Sequence, residues 1–471
     1  MPADVGSGAA ADGGAGGGGA LSQPLLQGDR NDGQGSQGSL RTGLREQKGQ
    51  AARVFANLTN SGIGSSTVAM PMAVKTLGVG VAVGAMLLQG TLGVIANHIL
   101  SREGERADAD SYHDLMRSRF GKWGGRAVAL AQMLNSLGKC VVWLIILADL
   151  IVGSGCIPAE PVLIGCLSMR SLDKLSGISL VGDAAVALMT TVALVLTVVA
   201  GRQGKAHDIH WLPSAEEAGT HSKAGLFLEV ASVFPVMMGA AFTQNNISSV
   251  MHQLRPFNQP VLDATQAAAR AITIAVFLCI GVANYAVFGG KLQVEWASSI
   301  GIADYAVFTT KLQPDVLLNY SGHGLRRLMP RRPALALAVA VKLSFLVNGL
   351  FTLPAYLYPY QHNLWAALPR QSPEHRMNDQ RSFAATNIAS LAGCTLIAVL
   401  VPSIWKPLKL LGGTAVGCMA FVFPGAIALS TRWPRHGEAH TARDRAIWAL
   451  GWVLVAVGLL QAVASIASQF I

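Results

Sequence analysis

The stretch from Val54 to Gly78 constrains the fold of this chain most, because it is long enough to cross a bilayer and yet is polar in its middle. A membrane-spanning helix needs about 20 mostly apolar residues. Here residues 57–67 are mostly Asn, Thr, Ser and Gly, and lipid satisfies neither polar side chains nor a loosened backbone. The middle of this segment must therefore face protein or a water-filled cavity.

Two glycines within this polar centre predict a broken helix. Gly62 and Gly64 are poor helix formers, so we expect the helix to stop here and to restart near Ser65 with free N–H groups. Because a helix N-terminus is electropositive, the restart would attract an anion. Small residues also allow two membrane helices to pack closely, which is the alternative interpretation. A second interrupted helix would favour anion binding.

The composition is that of a polytopic membrane protein. Of the 471 residues, 51% are hydrophobic and 13% are charged, and the mean hydropathy is +0.41. The formal net charge of +10 lies mostly in connections between apolar segments, where it fits the bias of cytoplasmic loops, so we do not predict nucleic-acid binding. The cysteines have no metal-binding spacing, and we predict neither a metal nor a cofactor.

The chain divides into a tail and a membrane domain. Residues 1–50 are rich in Gly, Ala, Gln and Ser and are predicted to form a disordered cytoplasmic tail, and residues 51–471 to form a transmembrane transporter domain. The fourth apolar run is short for a span. The predicted runs are 54–78, 79–99, 126–152, 157–169, 178–200, 226–252, 271–289, 334–357, 382–404, 407–430 and 447–470.

The sixth run repeats the unusual pattern of the first. It is apolar until Thr243, and then Thr, Gln, Asn and Ser interrupt it up to Ser249. Two interrupted helices, each opening a group of five, are typical of an inverted-repeat transporter with its binding site near the middle of the membrane. This pairing favours binding over simple helix packing. We therefore predict an all-α polytopic membrane protein with broken helices 1 and 6.

A short internal repeat follows the seventh run. The segment GVANYAVFGGKLQ at 281–293 is echoed by GIADYAVFTTKLQ at 301–313. Two copies do not make a solenoid, which needs at least three repeats. We interpret the pair as a local duplication.

Several motifs in order give the chain a family resemblance. They include FANLTNSGIGSSTVAMPMAVKTLG in the first run, AAFTQNNISSVMHQL in the sixth, TLPAYLYPY at 352–360 and VPSIWKPLKLLGGTAVGCMAFVFPGAIAL at 401–429. With them the chain resembles the amino acid/auxin permease family of the amino acid–polyamine–organocation superfamily. The resemblance implies about eleven transmembrane helices, ten of them in a five-plus-five inverted repeat (LeuT-like). It also implies secondary transport of neutral or cationic amino acids coupled to protons or sodium.

The two predicted breaks suit the two charges of an amino acid. We expect backbone N–H groups of the first break to bind the α-carboxylate and carbonyls of the second break to hold the α-amino group. The candidate substrate-binding residues are Ser61, Gly62, Ile63, Gly64, Ser65, Phe242, Thr243, Gln244, Asn245 and Asn246.

Ion coupling has two sets of candidates. Ionisable groups inside membrane helices are usually functional, which singles out Lys139 and Glu229. The resemblance implies sodium ligands in the first and eighth helices, where Asn57 or Asn60 and Thr352 are the nearest matches. We predict proton coupling, and sodium remains the alternative.

The resemblance also implies a cytoplasmic N-terminus. Lys and Arg are more numerous in the connections that would then be cytoplasmic, as the positive-inside rule requires. Asn319 lies in an Asn-Tyr-Ser sequon outside the predicted helices and is the candidate glycosylation site. We expect a multi-pass protein of the vacuolar or lysosomal membrane or of the plasma membrane.

Two other function classes were weighed. The chain has no HExxH, no G-x-S-x-G and no Cys/His cluster of metal-binding spacing, so we predict that it is not an enzyme. The alternative to a transporter is a transporter-like amino-acid sensor that binds without net transport, because both would share one binding site. The predicted partners are an amino acid, a proton or sodium ion and the lipid bilayer.

Overall fold

The computed structural model describes most of the predicted membrane domain. The chain divides into two units, Met1–Lys48 and Gly49–Ile471, and all of the helices named below belong to the second. The predicted tail therefore lies almost wholly outside the described residues. These are 46–59, 62–63, 66–152, 176–218, 222–254, 256–289, 317, 320, 325–326, 328–367, 379–401, 403–430 and 442–470.

The first membrane helix is broken, as predicted. Helix α1 covers 49–59, and the amide of Ile63 still donates to the carbonyl of Thr59 (3.1 Å), but Ile63 itself lies in a bend. The helix resumes as α2, Ser66–Leu77. Gly78 then takes a positive φ of 72°, which favours glycine, and turns the chain into the next helix.

Ten further helices of seven residues or more follow, besides the four-residue helix Ala215–Ala218, and no strand occurs among the described residues. Helix α4 bends at Gly121, whose φ is 66°. Helix α11 contains two π-helical segments, Gly412–Val416 and Cys418–Val422. The helices are α3 (Val79–Ala107), α4 (Tyr112–Val152), α5 (Ser176–Arg202), α6 (Lys223–Ala241), α7 (Ile247–Gln253), α8 (Gln259–Phe288), α9 (Arg331–Ala367), α10 (Gln380–Leu400), α11 (Trp405–Ser430) and α12 (Ala442–Ala467).

The chain is a multi-pass membrane protein. Within the described residues, nine helices are long and apolar enough to cross a membrane, and the broken first helix adds another span. The predicted fourth helix, 157–169, lies outside the described residues. So do the second copy of the internal repeat and Asn319. Each of the eleven predicted spans except the fourth therefore coincides with a helix of the structure, the first with the broken helix.

The sixth span is interrupted where the sequence predicts. Helix α6 ends at Ala241, Phe242 is extended, and Thr243 has φ −130° and ψ 0°. A 3₁₀ turn at Gln244–Asn246 then leads into α7. The side chains of Thr, Gln and Asn compete with backbone groups for hydrogen bonds, as when Gln244 Oε1 accepts from the Thr243 amide (3.0 Å). The polar run therefore stops the helix.

The helices pack in the pairs that an inverted repeat requires. Helix α2 packs against α6, α3 against α8, and α4 against α9. In the order of spans, these are one with six, two with seven and three with eight. Three corresponding pairs of the two groups of five thus contact each other, as expected for two repeats related by a pseudo-twofold axis.

The connections between successive spans lie alternately at two opposite ends of the helices. At one end, the Val79 amide donates to the His210 carbonyl (2.9 Å) and the His207 amide to the Ala286 carbonyl (2.8 Å). At the other end, His98 Nδ1 lies 2.8 Å from Asp263 Oδ2. This grouping is the one that the eleven-helix path needs. Which end faces the cytoplasm remains a prediction.

Several helices are longer than their apolar runs. Helix α8 begins at Gln259 rather than 271, and α9 continues to Ala367 rather than 357. In α8 the added turns bury Gln266 and Arg270, which are 3% and 6% exposed. A hydropathy window ends at such residues, whereas the backbone continues as a helix because its polar side chains face protein rather than lipid.

Candidate functional site

The two broken helices meet at Gly62. A Cβ at Gly62 would lie 3.8 Å from Thr243 Cγ2, in the break of the sixth span, and 3.2 Å from Thr273 Cγ2 on α8. Just beyond, a Cβ at Gly239 would lie 3.1 Å from Ser66 Oγ, which opens α2. The predicted juxtaposition of the two breaks is therefore present, and glycine leaves room for the approach.

The Thr243 hydroxyl is the centre of a buried hydrogen-bond cluster. Thr243 Oγ1 accepts from Arg270 Nη2 of α8 (2.7 Å) and from Asn97 Nδ2 of α3 (3.2 Å). The three side chains are each 6% exposed or less. Spans two, six and seven thus contribute one polar side chain each to the same point in the protein interior.

This cluster contains polar atoms that have no partner. Arg270 Nη1, Gln244 Nε2 and Asn97 Oδ1 are buried and make no hydrogen bond among the described residues. Such groups are uncommon in folded proteins, because each costs about 1–3 kcal/mol or more when charged. A polar ligand placed here would supply the missing partners.

The remaining predicted residues of the second break lie close by. Phe242 is buried, and Asn245 and Asn246 are half-buried. Asn245 Oδ1 accepts from Gln132 Nε2 of α4 (3.1 Å), and the Asn246 amide donates to the Thr243 carbonyl (3.0 Å). That carbonyl therefore already has one donor.

Lys139 lies beside the same break. Its Nζ lies over two aromatic rings, 5.9 Å from the ring centre of Phe242 and 5.1 Å from that of Tyr356 on α9. Of the two predicted ionisable candidates for coupling, this is the one next to the broken helix.

Glu229 has a different environment. Its two carboxylate oxygens accept from Lys409 Nζ of α11 at 2.7 and 2.8 Å, and Trp405 Nε1 donates to the same carboxylate (3.3 Å). The pair joins the start of α6 to α11. The geometry makes Glu229 a partner in an ion pair whose lysine is buried and whose carboxylate is partly exposed.

The predicted sodium ligands are only partly described. Thr352 Oγ1 donates to the Asn348 carbonyl (2.7 Å) and lies 3.0 Å from Asn348 Oδ1, so its hydroxyl hydrogen is already used. Asn57 is half-buried on α1. Asn60, Ser61, Gly64 and Ser65 lie outside the described residues. A role for these residues in binding an ion or substrate stays a prediction.

Two residues of the cluster were not predicted. Arg270 precedes the apolar run of the seventh span and was therefore assigned to a connection. Asn97 is one of only a few polar residues in the second apolar run. The signal that could have found Arg270 is its place in AAARAITIAVF, where apolar residues surround it on both sides. No group of three or more His, Cys, Asp or Glu suited to a metal occurs among the described residues.

Comparisons with known proteins agree with this architecture. The profile of the family described as transmembrane amino acid transporter protein matches residues 47–301 and 296–471. The two matches join between the two copies of the internal repeat. This position indicates that the family pattern is interrupted there.

Curated relatives match along most of their length. Amino acid transporter AVT6C of Arabidopsis thaliana is 24% identical over 430 residues, which cover 85% of this chain and 89% of that protein. Sodium-coupled neutral amino acid transporter 7 of Rattus norvegicus is 22% identical over 434 residues, which cover 85% and 83%.

A solved structure has the same fold. The manganese transporter of Eremococcus coleocola superposes with a TM-score of 0.55 at 11% identity, covering 88% of this chain and 87% of that one. At this identity the likeness concerns the fold alone.

Proposed function

This chain belongs to the transmembrane amino acid transporter protein family, and we propose that it is a secondary active amino-acid transporter driven by protons. The observation that carries the proposal is the contact between the two broken helices at Gly62 and Thr243. Broken helices are the means by which a membrane protein exposes backbone groups to a polar substrate without exposing them to lipid. The relatives' names, which describe amino-acid transporters, support the same substrate class.

The substrate would lie between the two breaks. Apart from the Ile63 amide, which donates to the Thr59 carbonyl, backbone N–H groups of residues 61–65 bind the α-carboxylate at the positive end of α2. Carbonyls at 243–246 accept from the α-ammonium. Gly62 and Gly64 serve this arrangement because a β-carbon would keep the carboxylate away from the backbone. The closeness of Gly62 to Thr243 supports a site small enough for one zwitterion.

Proton coupling would use Lys139. An amine gains and loses a proton readily, and this one is held between Phe242 of the broken helix and Tyr356. A change in its charge would alter its attraction to both rings and thereby favour one arrangement of the break over another. Glu229 is the weaker candidate, since its carboxylate is bound by Lys409. Sodium held by Asn57 and Thr352 is the alternative.

Uptake into proteoliposomes tests the function as a whole. A transporter accumulates labelled amino acids when an inward proton gradient is imposed, whereas a sensor binds them without accumulation. Uptake that required sodium and ignored the pH gradient would replace protons with sodium in the proposal. We expect the protein in a vacuolar or lysosomal membrane or in the plasma membrane, and tagging it in cells tests that expectation.

Substitutions in the first break test the carboxylate site. Gly64→Val should abolish transport at normal membrane abundance, while Ser61→Ala, which keeps its backbone N–H, should change it little. An amino acid α-methyl ester should compete poorly, because it lacks the anion. If Gly64→Val transports normally, or if the ester competes as well as the free acid, the carboxylate is bound elsewhere.

A further inference from the structure

Arg270 is a buried cation for which the described part of the chain provides no anion. Arg270 lies on α8 and is only 6% exposed. No carboxylate oxygen of the described residues lies within 4 Å of its guanidinium. Nη2 donates to the Thr243 hydroxyl (2.7 Å), and Nη1 has no hydrogen-bond partner. A guanidinium keeps its charge in this setting, so its charge must be balanced by something else.

A second unmatched donor lies beside it. Gln244 is fully buried and its Oε1 accepts from the Thr243 amide, while its Nε2 finds no acceptor in the described part of the chain. Arg270 and Gln244 both pack against Gly93 of α3. A Cβ at Gly93 would lie 3.3 Å from Arg270 Nη2 and 3.6 Å from Gln244 Nε2. A side chain at position 93 would crowd both donors, so glycine allows the two to approach each other there.

We propose that Arg270 and Gln244 form a second anion site, which receives the side-chain carboxylate of a dicarboxylic amino acid. A carboxylate suits the donors because its two oxygens can accept both from a planar guanidinium and from an amide N–H. The assignment to the side chain rests on the proposed function, in which the first break binds the α-carboxylate. The substrates that it predicts are aspartate and glutamate rather than their amides.

The position of the site relative to the breaks fits such a substrate. Arg270 binds the hydroxyl of Thr243, and the methyl group of the same Thr243 faces Gly62. The guanidinium is therefore one side chain away from the predicted binding place of the α-carboxylate. Asn97 belongs to the same cluster, because its Nδ2 donates to the Thr243 hydroxyl. Its Oδ1 is a buried acceptor that has no partner among the described residues.

Isosteric substrate pairs test the proposal in the wild-type protein. Glutamate and glutamine have nearly the same shape, as do aspartate and asparagine, so a difference in uptake reports the side-chain charge. We expect the acids to be preferred by about tenfold or more, since a hydrogen bond to a charged group contributes about 1.5–3 kcal/mol. Glutamate γ-methyl ester should compete as poorly as glutamine. Equal or better uptake of the amides would overturn the proposal.

Variants assign that preference to Arg270. Arg270→Gln should reduce glutamate uptake by about tenfold or more and leave glutamine uptake within about twofold, whereas Arg270→Lys should keep part of the preference because it keeps the charge. Arg202→Gln, at the exposed end of α5, is the matched control and should change neither. Loss of glutamate and glutamine uptake in equal measure from a normally abundant Arg270→Gln would mean that Arg270 binds the α-carboxylate, which overturns the proposal.

Binding measurements decide the outcome if Arg270→Gln does not fold. Glutamate should raise the melting temperature of the purified wild-type protein, and glutamine and the γ-ester should raise it much less. The α-ester reports the first break instead. Failure of every amino acid to be transported would refute the proposed function, whereas transport of neutral amino acids alone would refute only the acidic site.

Discussion

Two buried cations of this protein, Lys409 and Arg270, contact the sixth span in different ways. Lys409 is 5% exposed and lies 2.7 and 2.8 Å from the two carboxylate oxygens of Glu229, near the start of α6. Arg270 is 6% exposed and contacts the break of the same span through the Thr243 hydroxyl alone. One cation has its anion within the protein, and the other has, among the residues that the structure describes, a neutral hydroxyl and an unpartnered Nη1.

The difference separates a structural charge from one that awaits a ligand. Removing a charge from water costs several kcal/mol, and a nearby opposite charge with good hydrogen bonds recovers much of it. At Lys409 that recovery comes from Glu229 and holds α6 to α11. At Arg270 it would come from outside, which is the arrangement expected where binding, rather than folding, completes the electrostatics. The following predictions test whether the two sites differ in this way.

The largest effect is expected at the matched pair. Lys409→Met keeps the length of the side chain but leaves the partly buried Glu229 carboxylate without its cation, so the free energy of unfolding should fall by about 2 kcal/mol. Unfolding in mixed detergent micelles measures the change. Transport per folded molecule should stay close to that of wild type, because the pair does not touch the breaks.

A second variant controls for packing. Combining Lys409→Met with Glu229→Gln removes both charges and should recover most of the lost stability, since no unpaired charge remains. If the double variant is as unstable as the single one, the loss comes from packing of the lysine stem over Trp405, whose ring lies 5.3 Å from Nζ, and the contrast with Arg270 disappears.

A smaller effect is expected from giving Arg270 a carboxylate partner, as Lys409 has in Glu229. Gln244→Glu keeps an oxygen that can accept from the Thr243 amide and adds a carboxylate beside Arg270. The unliganded protein should be stabilised by about 1 kcal/mol, and acidic amino acids should no longer raise its melting temperature, because the site is occupied by its own side chain.

Gln244→Leu is the control for that change. It removes the acceptor of the Thr243 amide without adding charge, so it should be less stable than wild type. Melting curves with and without glutamate compare the three proteins. If Gln244→Glu is destabilised as much as Gln244→Leu, Arg270 already has its charge balanced, and the comparison with Lys409 fails.

The two cations also differ in how far the sequence could predict their roles. The break at Thr243 was readable because four consecutive polar residues interrupt an apolar run, and the structure stops the helix there. The partner of Glu229 was not readable. Lys409 lies 180 residues later in the chain, and only the packing of α6 against α11 brings the two together.

Arg270 was missed for a different physical reason. Hydropathy reports whether a segment suits lipid, and it does not reveal that the face of a helix carrying an arginine is turned toward protein. The apolar run therefore starts after Arg270, although α8 begins at Gln259. The broken helices, their order and the membrane class followed from local composition, whereas the polar cluster depends on three spans that meet only in the folded protein.

The smallest effect is expected for a charge that stays in water, which gives a reference for the two buried cations. Asp379 precedes α10 and is exposed; its Oδ2 accepts from the amide (3.2 Å) and the hydroxyl (2.6 Å) of Ser382. These hydrogen bonds favour the charged form and lower the pKa of this carboxyl below its ordinary value of 3.8. A lowered pKa means that the stabilisation is fully present above pH 3.8 and is lost as the pH falls through the lower, folded-state value.

Asp379→Ala should therefore lower the melting temperature slightly at neutral pH, and the difference from wild type should shrink on acidification. Asp379→Asn, which can still cap the helix, should differ from Asp379→Ala by an amount that does not depend on pH. If the difference in melting temperature between wild type and Asp379→Ala grew as the pH fell, the lowered pKa of Asp379 would be contradicted. If Asp379→Ala destabilised the protein as much as Lys409→Met, burial would not explain the large effect expected at Lys409.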